Sequence, residues 1–381
     1  MQLELHLIQS FPPANLNRDE NGMPKSTVFG GKSRARISSQ CQKRAVRKFY
    51  QDYADLDPGQ FADRSRNWLP KLEELLIEQG IAAEPAAIAA RLALEEGLKL
   101  KFDDKGKATT IVFLGHTELG AIAHILVSNW GAIEPGLTGD KPELPKKDPN
   151  IAKVIEKALV ETGKPGDVAL FGRMMAALPT VNVDAAVQMA HAISVNTLQQ
   201  EFDFFTAVDD LGGAEDTGAD HMGETGYNSS TYYRFATVDT EQLARNLGSS
   251  EHLEAVIKAF ADAFVQAVPS GHQNGFAAHT RPAAVMAVVR RGQPISLVDA
   301  FEDPIAPKGG KSLLANAVKA LDSHWAELTK MYPQTGVQYH GIVTRSQFDG
   351  QLTALQAVAE DSVDALLGQA VAAALKGQGG N

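Results

Sequence analysis

The chain has 381 residues, of which 44% are hydrophobic and 22% charged, and its formal net charge at pH 7 is −10. This composition is typical of a folded globular protein and excludes an intrinsically disordered chain. No apolar run approaches the roughly 18 residues of a membrane-spanning helix, so no membrane partner is expected. The single cysteine, Cys41, excludes an intrachain disulfide and a cysteine-based zinc site, and it suits a reducing, cytoplasmic compartment.

The first predicted element is an N-terminal strand. Leu3, Leu5 and Leu7 alternate with other residues, which predicts a strand with one buried face. Phe11 and the two prolines after it should end this strand. Because the segment has no basic start, it does not have the pattern of a signal peptide.

A strongly basic stretch follows between residues 18 and 48. Asp19 and Glu20 are its only acids, and the local charge is +7, so the rest of the chain sums to −17. The nine basic residues are Arg18, Lys25, Lys32, Arg34, Arg36, Lys43, Arg44, Arg47 and Lys48. Such a local reversal of sign favours a polyanionic ligand, because steering and phosphate contact depend on the local field.

The second half of this stretch predicts an amphipathic helix that ends near Tyr53. Ser39 with Gln42 forms a capping box, and Ser38 is a second candidate cap. One face is apolar, and the opposite face carries like charges one turn apart, a small cost that a bound polyanion would offset. Before this helix, a strand with outward-facing Lys32, Arg34 and Arg36 completes a predicted phosphate groove. The alternative is a solvated basic surface without a ligand.

Two short sequences imitate the end of a nucleotide-binding P-loop. Gly31-Lys32-Ser33 and Gly310-Lys311-Ser312 both lack the glycine that the motif needs five positions earlier, where Ser26 and Ile305 stand. No nucleoside-triphosphate site is therefore expected.

Residues 56–166 change in composition and are interpreted as an inserted domain. Their patterns predict helices at 68–79, 85–94 and 117–130, a strand at 110–114 and a loop at 131–149. After the insertion, residues 167–171 are predicted as a strand and residues 183–194 as a helix. Residues 199–234 predict a long β-hairpin with an acidic, glycine-rich tip, or alternatively a disordered surface loop.

The remaining patterns predict helices at 241–247, 253–268 and 313–331, strands at 283–289 and 337–343, and a final alanine-rich helix. Strands and helices mixed in this order favour an α+β, ferredoxin-like domain over a doubly wound sheet. The ten histidines show no metal-binding spacing, so His116, His124, His272 and His279 are interpreted as structural or surface residues. No metal or cofactor is expected.

Several motifs together resemble the CasC backbone subunit of the type I-E CRISPR Cascade complex. They are N-L-N-R-D at 15–19, F-G-G-K at 29–32, R-I-S-S-Q at 36–40, K-R-A at 43–45, L-F-G-R-M at 170–174, A-H-A-I at 190–193, F-T-A-V-D-D at 205–210 and S-T-Y-Y-R at 230–234. Their order and spacing cover most of the chain. Two departures are polar Gln42, where an apolar residue is expected, and the Ala/Gly-rich end after Asp361.

This resemblance implies an RNA-recognition-motif palm, a helical fingers insertion and a β-hairpin thumb, arranged like a right hand. The palm would comprise residues 1–55, 167–196 and 235–381, the fingers residues 56–166, and the thumb residues 197–234. The implied function is that of a non-catalytic, RNA-binding subunit. Its implied partners are CRISPR RNA, further copies of itself in a head-to-tail filament, other Cascade subunits, and the target DNA strand by way of the guide.

The resemblance also assigns roles to residues. The RNA backbone cradle would consist of Asn17, Arg18, Lys25, Ser38, Gln40, Lys43, Arg44 and Arg47. Arg173 and Met174 would lie where a base is displaced. Phe205, Thr206, His221 and Met222 of the thumb would contact the RNA segment of a neighbouring subunit, although core packing for Phe205 and a free tip for the others is the simpler alternative.

Two other functions compete with this interpretation. Asp209, Asp210 and Asp220 lie in the acidic tip, and paired carboxylates can hold Mg²⁺ beside a phosphodiester, so a metal-dependent endoribonuclease is one alternative. A stand-alone, sequence-neutral RNA-binding protein is the other. Solvated acids at the end of an arm are the simpler explanation of the tip.

Overall fold

The computed structural model describes residues 1–138, 141–207, 221–332 and 336–376. The strands are β1 (Gln2–Ala14), β2 (Ser26–Phe29), β3 (Lys32–Ile37), β4 (Ala62–Ser65), β5 (Val112–Gly115), β6 (Val187–Met189), β7 (Ala192–Ser194), β8 (Glu201–Ala207), β9 (His221–Asp239), β10 (Ala284–Arg290) and β11 (Val337–Thr344). The main sheet is antiparallel, with the order β11-β10-β1-β9-β7-β3-β2 and with β8 paired to β9.

The helices are distributed along the whole chain. They are α1 (Ser39–Tyr53), α2 (Trp68–Glu78), α3 (Ala83–Leu92), α4 (His116–Ser128), α5 (Trp130–Ile133), α6 (Ile151–Glu161), α7 (Gly166–Phe171), α8 (Thr240–Leu247), α9 (Leu253–Gln266), α10 (Gln273–Phe276), α11 (Leu313–Met331) and α12 (Val363–Leu375). None of these described helices is long and apolar enough to cross a membrane. The predicted mixed α+β class with an antiparallel sheet is confirmed.

The chain divides into two compact units. The first, called the sheet unit, comprises Met1–Ala54, Gln188–Thr240 and Ile257–Asn381. The second, called the helical unit, comprises Asp55–Val187 and Glu241–Val256. The helical unit thus starts one residue before the predicted insertion and extends past residue 166. The finer division into palm, fingers and thumb remains a prediction.

The central strand of the sheet unit is β1, which pairs with β10 on one side and β9 on the other. It was predicted to bury one face, but both faces are covered, so even Glu4 and His6 are inaccessible to solvent. It also continues to Ala14 through the prolines that were predicted to end it. Its register with β9 shifts between Phe11 and Ala14, and such an irregularity accommodates proline within a sheet.

The core of the sheet unit forms where α11 and the 3₁₀ turn Val298–Phe301 cover the sheet. Tyr233, Met286, Phe301 and Trp325 belong to this cluster, and each is less than 5% exposed. The prediction of a helix at 313–331 is confirmed because its apolar residues recur at helical spacing and face the sheet.

The helical unit has its own core, which is built from α2, α3, α4 and α6 around the short β4–β5 sheet. Helix α6 lies in a region for which the sequence patterns gave no prediction. Its buried residues Ile151, Ile155 and Leu159 are four positions apart, and Asn150 caps its start by accepting a hydrogen bond from the backbone N–H of Lys153.

Two predictions about neighbouring segments are wrong. Residues 167–171, predicted as a strand, form α7, in which every side chain is buried, so the short apolar run carries no periodicity. Residues 183–194, predicted as a helix, contain β6 and β7 instead. β7 pairs with both β3 and β9, and these ladder hydrogen bonds outweigh the helical propensity of its alanines.

The β2–β3 turn contains a glycine that the structure requires. Gly30 has φ = +58°, and a Cβ atom there would lie 1.9 Å from the carbonyl oxygen of Glu302, whereas Gly31 (φ = +69°) faces open space. We expect Gly30→Ala to lower the free energy of unfolding by about 2–4 kcal/mol, because a clash adds to the left-handed strain. Gly31→Ala should cost only about 1–2 kcal/mol.

Urea denaturation of both variants checks this prediction. The Gly31→Ala protein is the matched control, since it carries the backbone strain without the clash. Equal losses in the two variants would show that Glu302 does not constrain the turn.

Candidate nucleic-acid interface

Helix α1 begins at the basic surface, and its start is fixed from two directions. The cap is Ser38 rather than the predicted Ser39: its Oγ accepts a hydrogen bond of 3.3 Å from the backbone N–H of Cys41. The backbone N–H of Ser38 donates in turn to Oδ1 of Asn17 at 2.8 Å. Ser38 is only 5% exposed, so its predicted contact with phosphate remains untested and its observed role is to hold the helix start.

The faces of α1 are strongly different. Gln42, Val46 and Tyr50 form its buried stripe. Gln40, Arg44 and Lys48 are exposed, and Lys43 and Arg47 are partly exposed. Nζ of Lys48 and Nη1 of Arg47 both donate to Oε1 of Gln51, at 3.2 and 3.4 Å. The helix therefore presents its cations on the sides that do not pack on the sheet.

A groove of about 420 Å³ lies beside the first turn of α1. It is lined by Leu16, Asn17, Arg18, Asp19, Cys41, Arg44, Ala45, Pro269, Ser270 and Gly271. We call it the Arg18–Arg44 groove. Three of the predicted RNA-binding residues, Asn17, Arg18 and Arg44, meet here. The segment at 269–271, which closes the groove, carried no signal in the sequence.

Arg18 is held at the groove by an imidazole. Its Nη1 lies 2.8 Å from Nε2 of His272. Arginine only donates, so Nε2 of His272 is the acceptor in this contact. His272, which was interpreted as a structural or surface residue, therefore orients a predicted RNA-binding residue.

Arg36 is held in the same way on β3. Its Nη1 lies 3.2 Å from Nδ1 of His191, and its Nε donates to the carbonyl oxygen of Ser26 at 3.1 Å. Burial lowers the pKa of His191, and the positive charges of Arg36 and Lys25 lower it further. A neutral imidazole thus accepts the hydrogen bond without cancelling the charge of the guanidinium.

Lys25 and Arg44 place their charges near one thiol. Burial raises the pKa of Cys41, and the nearby Arg44 and Lys25 oppose that rise. Within the described ranges, no carboxylate forms an ion pair with Arg18, Lys25, Arg36 or Arg44. Although Asp19 also lines the groove, cations outnumber acids around the start of α1, and this excess of positive charge favours a polyanion.

Arg34 does not belong to this outer surface, and its predicted outward orientation is wrong. It is fully buried, and its Nη1 and Nη2 donate to the carbonyl oxygens of Ser194, Val195, Phe301 and Glu302 at 2.7–3.2 Å. Burial lowers the pKa of Arg34, and the nearby Asp303 partly offsets this effect. Only Arg34 of the three basic residues on β3 is buried, because the 301–302 segment covers its side chain.

A second basic groove, of about 560 Å³, follows that covering segment. It is lined by Pro304, Ile305, Ala306, Lys308, Gly309, Lys311, Asn316 and Lys319. Gly310-Lys311-Ser312 was interpreted only as an incomplete P-loop. A basic cluster of Lys308, Lys311 and Lys319 was not predicted. Their signal was weak, because Lys319 is contributed by α11, eight residues beyond Lys311.

Arg173 was predicted to lie at a displaced base, and this role remains a prediction. Its guanidinium is buried in the helical unit. Nη1 donates to Oε2 of Glu118 at 2.7 Å, and Nε and Nη2 donate to the carbonyl oxygen of Val181. Because Arg173 is paired with Glu118 of α4, the arginine side chain is not accessible to RNA in this structure.

Its neighbour Met174 is the opposite case, since it is 84% exposed. It follows Gly172, whose φ of +74° turns the chain out of α7. Its predicted role as an apolar wedge therefore remains a prediction that its exposure allows. Arg173 and Met174 belong to the helical unit, whereas the other predicted RNA-binding residues belong to the sheet unit.

The predicted hairpin is confirmed as β8 paired with β9. Phe205 is 48% exposed and its ring covers Gly223, where a Cβ atom would lie 2.3 Å from the ring. Thr206 is exposed and pairs in register with Met222. The side chains of His221 and Met222 lie outside the described part of the structure. Asp209, Asp210 and Asp220 lie outside it as well.

An antiparallel sheet with a basic surface at the start of α1 and an extended hairpin defines an α+β protein suited to a polyanionic ligand. The chain belongs to the CT1975-like protein family, whose sequence profile matches residues 3–369.

Solved structures support the same assignment. One chain, from a structure described as "CRISPR RNA-guided surveillance complex, pre-nicking", is 34% identical with a TM-score of 0.84, and the match covers 98% of this chain and 100% of that one. Another, from a "CRISPR RNA-guided surveillance complex", is 28% identical with a TM-score of 0.74 and the same coverage. A search of curated proteins finds no match. The resemblance to a CRISPR backbone subunit is confirmed.

The ion pair of Arg173 gives a direct test of its structural role. We expect Glu118→Gln to lower the free energy of unfolding by about 3–5 kcal/mol, because it leaves a buried guanidinium without its counter-charge. The matched control is Glu95→Gln, which removes the exposed pair with Arg91 (2.9 Å) and should cost less than about 1 kcal/mol. Urea denaturation measures both, and a loss under about 1 kcal/mol in Glu118→Gln would contradict the assignment.

Proposed function

We propose that this protein is a CRISPR RNA-binding backbone subunit of a Cascade-type surveillance complex, similar to CasC of type I-E systems. The observation that carries the proposal is the Arg18–Arg44 groove, in which two arginines lie beside a basic helix without acidic partners. Membership of the CT1975-like family and similarity to chains of CRISPR RNA-guided surveillance complexes support it.

The chemistry of the groove suits phosphates rather than bases. Arg18 and Arg44 are exposed cations, and Asn17 lies between the groove and the first turn of α1. Cations of this kind bind the phosphate backbone of RNA whatever its sequence. A subunit that repeats along different guides needs such contacts, because sequence recognition is then left to base pairing with the target DNA strand.

The sheet unit would act as a palm of the RNA-recognition-motif type and the β8–β9 hairpin as a thumb. The hairpin exposes the aromatic rings of Phe202, Phe204 and Phe205. An exposed aromatic surface suits contact with RNA bases or with a neighbouring subunit. Head-to-tail contact between copies does not close on itself, so it would extend as a filament along the guide, alongside other Cascade subunits.

We also propose that the subunit is not catalytic and that a separate protein cuts the target. The alternative, a metal-dependent endoribonuclease, depends on Asp209, Asp210 and Asp220. No observation on the described residues favours that alternative, and an assay of the assembled complex separates the two.

The groove predicts a specific salt dependence of RNA binding. Replacing Arg18 and Arg44 together by alanine should weaken binding equally for guides of different sequence. It should also reduce the slope of log affinity against log salt by about 1.4, since each lost phosphate contact on a single strand contributes roughly 0.7. Fluorescence anisotropy with three unrelated short RNAs over a salt series measures both quantities.

The control is the double variant Lys258→Ala with Lys330→Ala. Both lysines are exposed in the sheet unit and lie outside the groove, and the change in net charge is the same. The control should keep the slope of the wild type. If the groove variant also keeps that slope, or loses affinity for only some sequences, the groove does not bind phosphates.

The assembled complex should not hydrolyse RNA or DNA in the presence of Mg²⁺ or Mn²⁺. The expectation is tested by incubating it with labelled complementary RNA and resolving the products on a denaturing gel. Regularly spaced cuts that disappear in Asp209→Ala or Asp220→Ala would establish the endoribonuclease instead.

A further inference from the structure

A buried cation without an acidic partner lies against the inner face of α1. Arg234, on β9, is only 3% exposed. It donates hydrogen bonds to Oε1 of Gln9 at 2.6 Å, Oε1 of Gln42 at 3.3 Å and the carbonyl oxygen of Phe264 at 2.8 Å. Its guanidinium also lies 4.8 Å from the ring centroid of Phe264. All of these partners are neutral, and no carboxylate in the described ranges forms an ion pair with it.

The guanidinium stays charged in this position. Burial lowers the pKa of Arg234 to about 10, which still leaves the group protonated at neutral pH. The other two buried arginines have different partners: Arg173 pairs with Glu118 at 2.7 Å, whereas Arg34, like Arg234, donates only to neutral groups, in its case four backbone carbonyls. Removing a cation from water without a counter-charge costs several kcal/mol in a protein interior. Arg234 is therefore a costly feature that packing alone does not explain.

Its position relative to the predicted phosphate contacts follows from helix geometry. Gln42, its partner on α1, belongs to the buried stripe of that helix. Successive residues are about 100° apart around a helix, so Arg44 and Arg47 project from the side opposite Gln42. A helix with its side chains is about 10–12 Å across. Arg234 thus lies one helix diameter behind the outward cations, within range of their ligand's charge.

We infer that Arg234 is a buried source of positive potential that strengthens RNA binding through α1 without contacting the RNA. The inference rests on the proposed RNA-binding function. Coulomb's law gives an effect of about threefold on affinity for each phosphate roughly 12 Å away, at an effective dielectric constant of about 40. Because this attraction acts over more than a Debye length at physiological ionic strength, it should be strongest at low salt and weaken as salt is added.

The decisive variant is Gln9→Glu. Glutamate has nearly the same shape as glutamine, and its carboxylate beside Arg234 would cancel the buried charge. The substitution removes one hydrogen bond, which Nε2 of Gln9 donates to the carbonyl oxygen of Thr280 at 2.8 Å. The matched control is Gln338→Glu, which adds the same charge at an exposed position on β11. This strand is one edge of the sheet, and β2 is the other edge. Anisotropy with a short RNA at low salt should show binding about threefold weaker than the control, and the difference should shrink as the salt concentration rises.

A second pair of variants covers the case in which Gln9→Glu does not fold. Arg234→Lys keeps the charge and Arg234→Gln removes it, while both lose most of the hydrogen bonds. Among folded molecules, verified by thermal melting, the lysine variant should bind about threefold more tightly than the glutamine variant. Equal affinities in either comparison would overturn the inference while leaving RNA binding intact. Failure of the wild-type protein to bind RNA would instead overturn the proposed function itself.

Discussion

The position of the basic surface depends on the buried guanidinium of Arg34. It donates to four backbone carbonyl groups, at Ser194 and Val195 at the end of β7 and at Phe301 and Glu302. These bonds fix the β2–β3 hairpin against the segment that leads to Lys308. A planar fork that satisfies four carbonyls tolerates little displacement of any of them. The close approach of Gly30 to Glu302 follows from the same arrangement.

The orientation of α1 depends on a second polar contact. Gln42 occupies a position where the amphipathic pattern calls for an apolar side chain. Its Nε2 donates to the carbonyl oxygens of Ala190 at 3.0 Å and Ile37 at 3.3 Å, and its Oε1 accepts from Arg234. An apolar side chain would pack acceptably with the helix rotated about its axis to several angles. The buried amide of Gln42 reaches all three of its hydrogen-bond partners at only one of these angles. We interpret Gln42 as the residue that sets which cations face the groove.

Much of the fold is predictable because it is encoded locally. Helix α1, helix α11, strand β10 and the β8–β9 hairpin all follow from periodicity and turn residues, and the structure confirms them. The two wrong predictions, a strand at 167–171 and a helix at 183–194, concern segments whose local patterns are uninformative. Residues 167–171 are buried throughout, so they show no alternation that would separate a strand from a helix. Residues 183–194 contain exposed positions, but their two strands, β6 and β7, have three residues each and are too short to reveal a period. Their conformations are decided by tertiary pairing, which a single sequence does not display.

The basic residues of the site show the same limit of prediction from sequence. A sequence displays the basic residues, but not the group that each one contacts. Arg34 and Arg173 were expected at the RNA and are instead held inside the protein, by backbone carbonyls and by Glu118. Neither His272 nor His191 was expected to matter, yet both accept hydrogen bonds from exposed arginines.

The arginines of the chain differ in whether their partner carries a negative charge. A carboxylate orients a guanidinium and cancels its charge, as Glu118 does for Arg173 and Glu4 does for Arg290. An imidazole or an amide orients it and leaves the charge in place, as at Arg18, Arg36 and Arg234. A surface that must bind a polyanion needs rigid cations that remain cationic. Acceptors without a negative charge provide both properties, and Arg18, Arg36 and Arg234 each have such an acceptor.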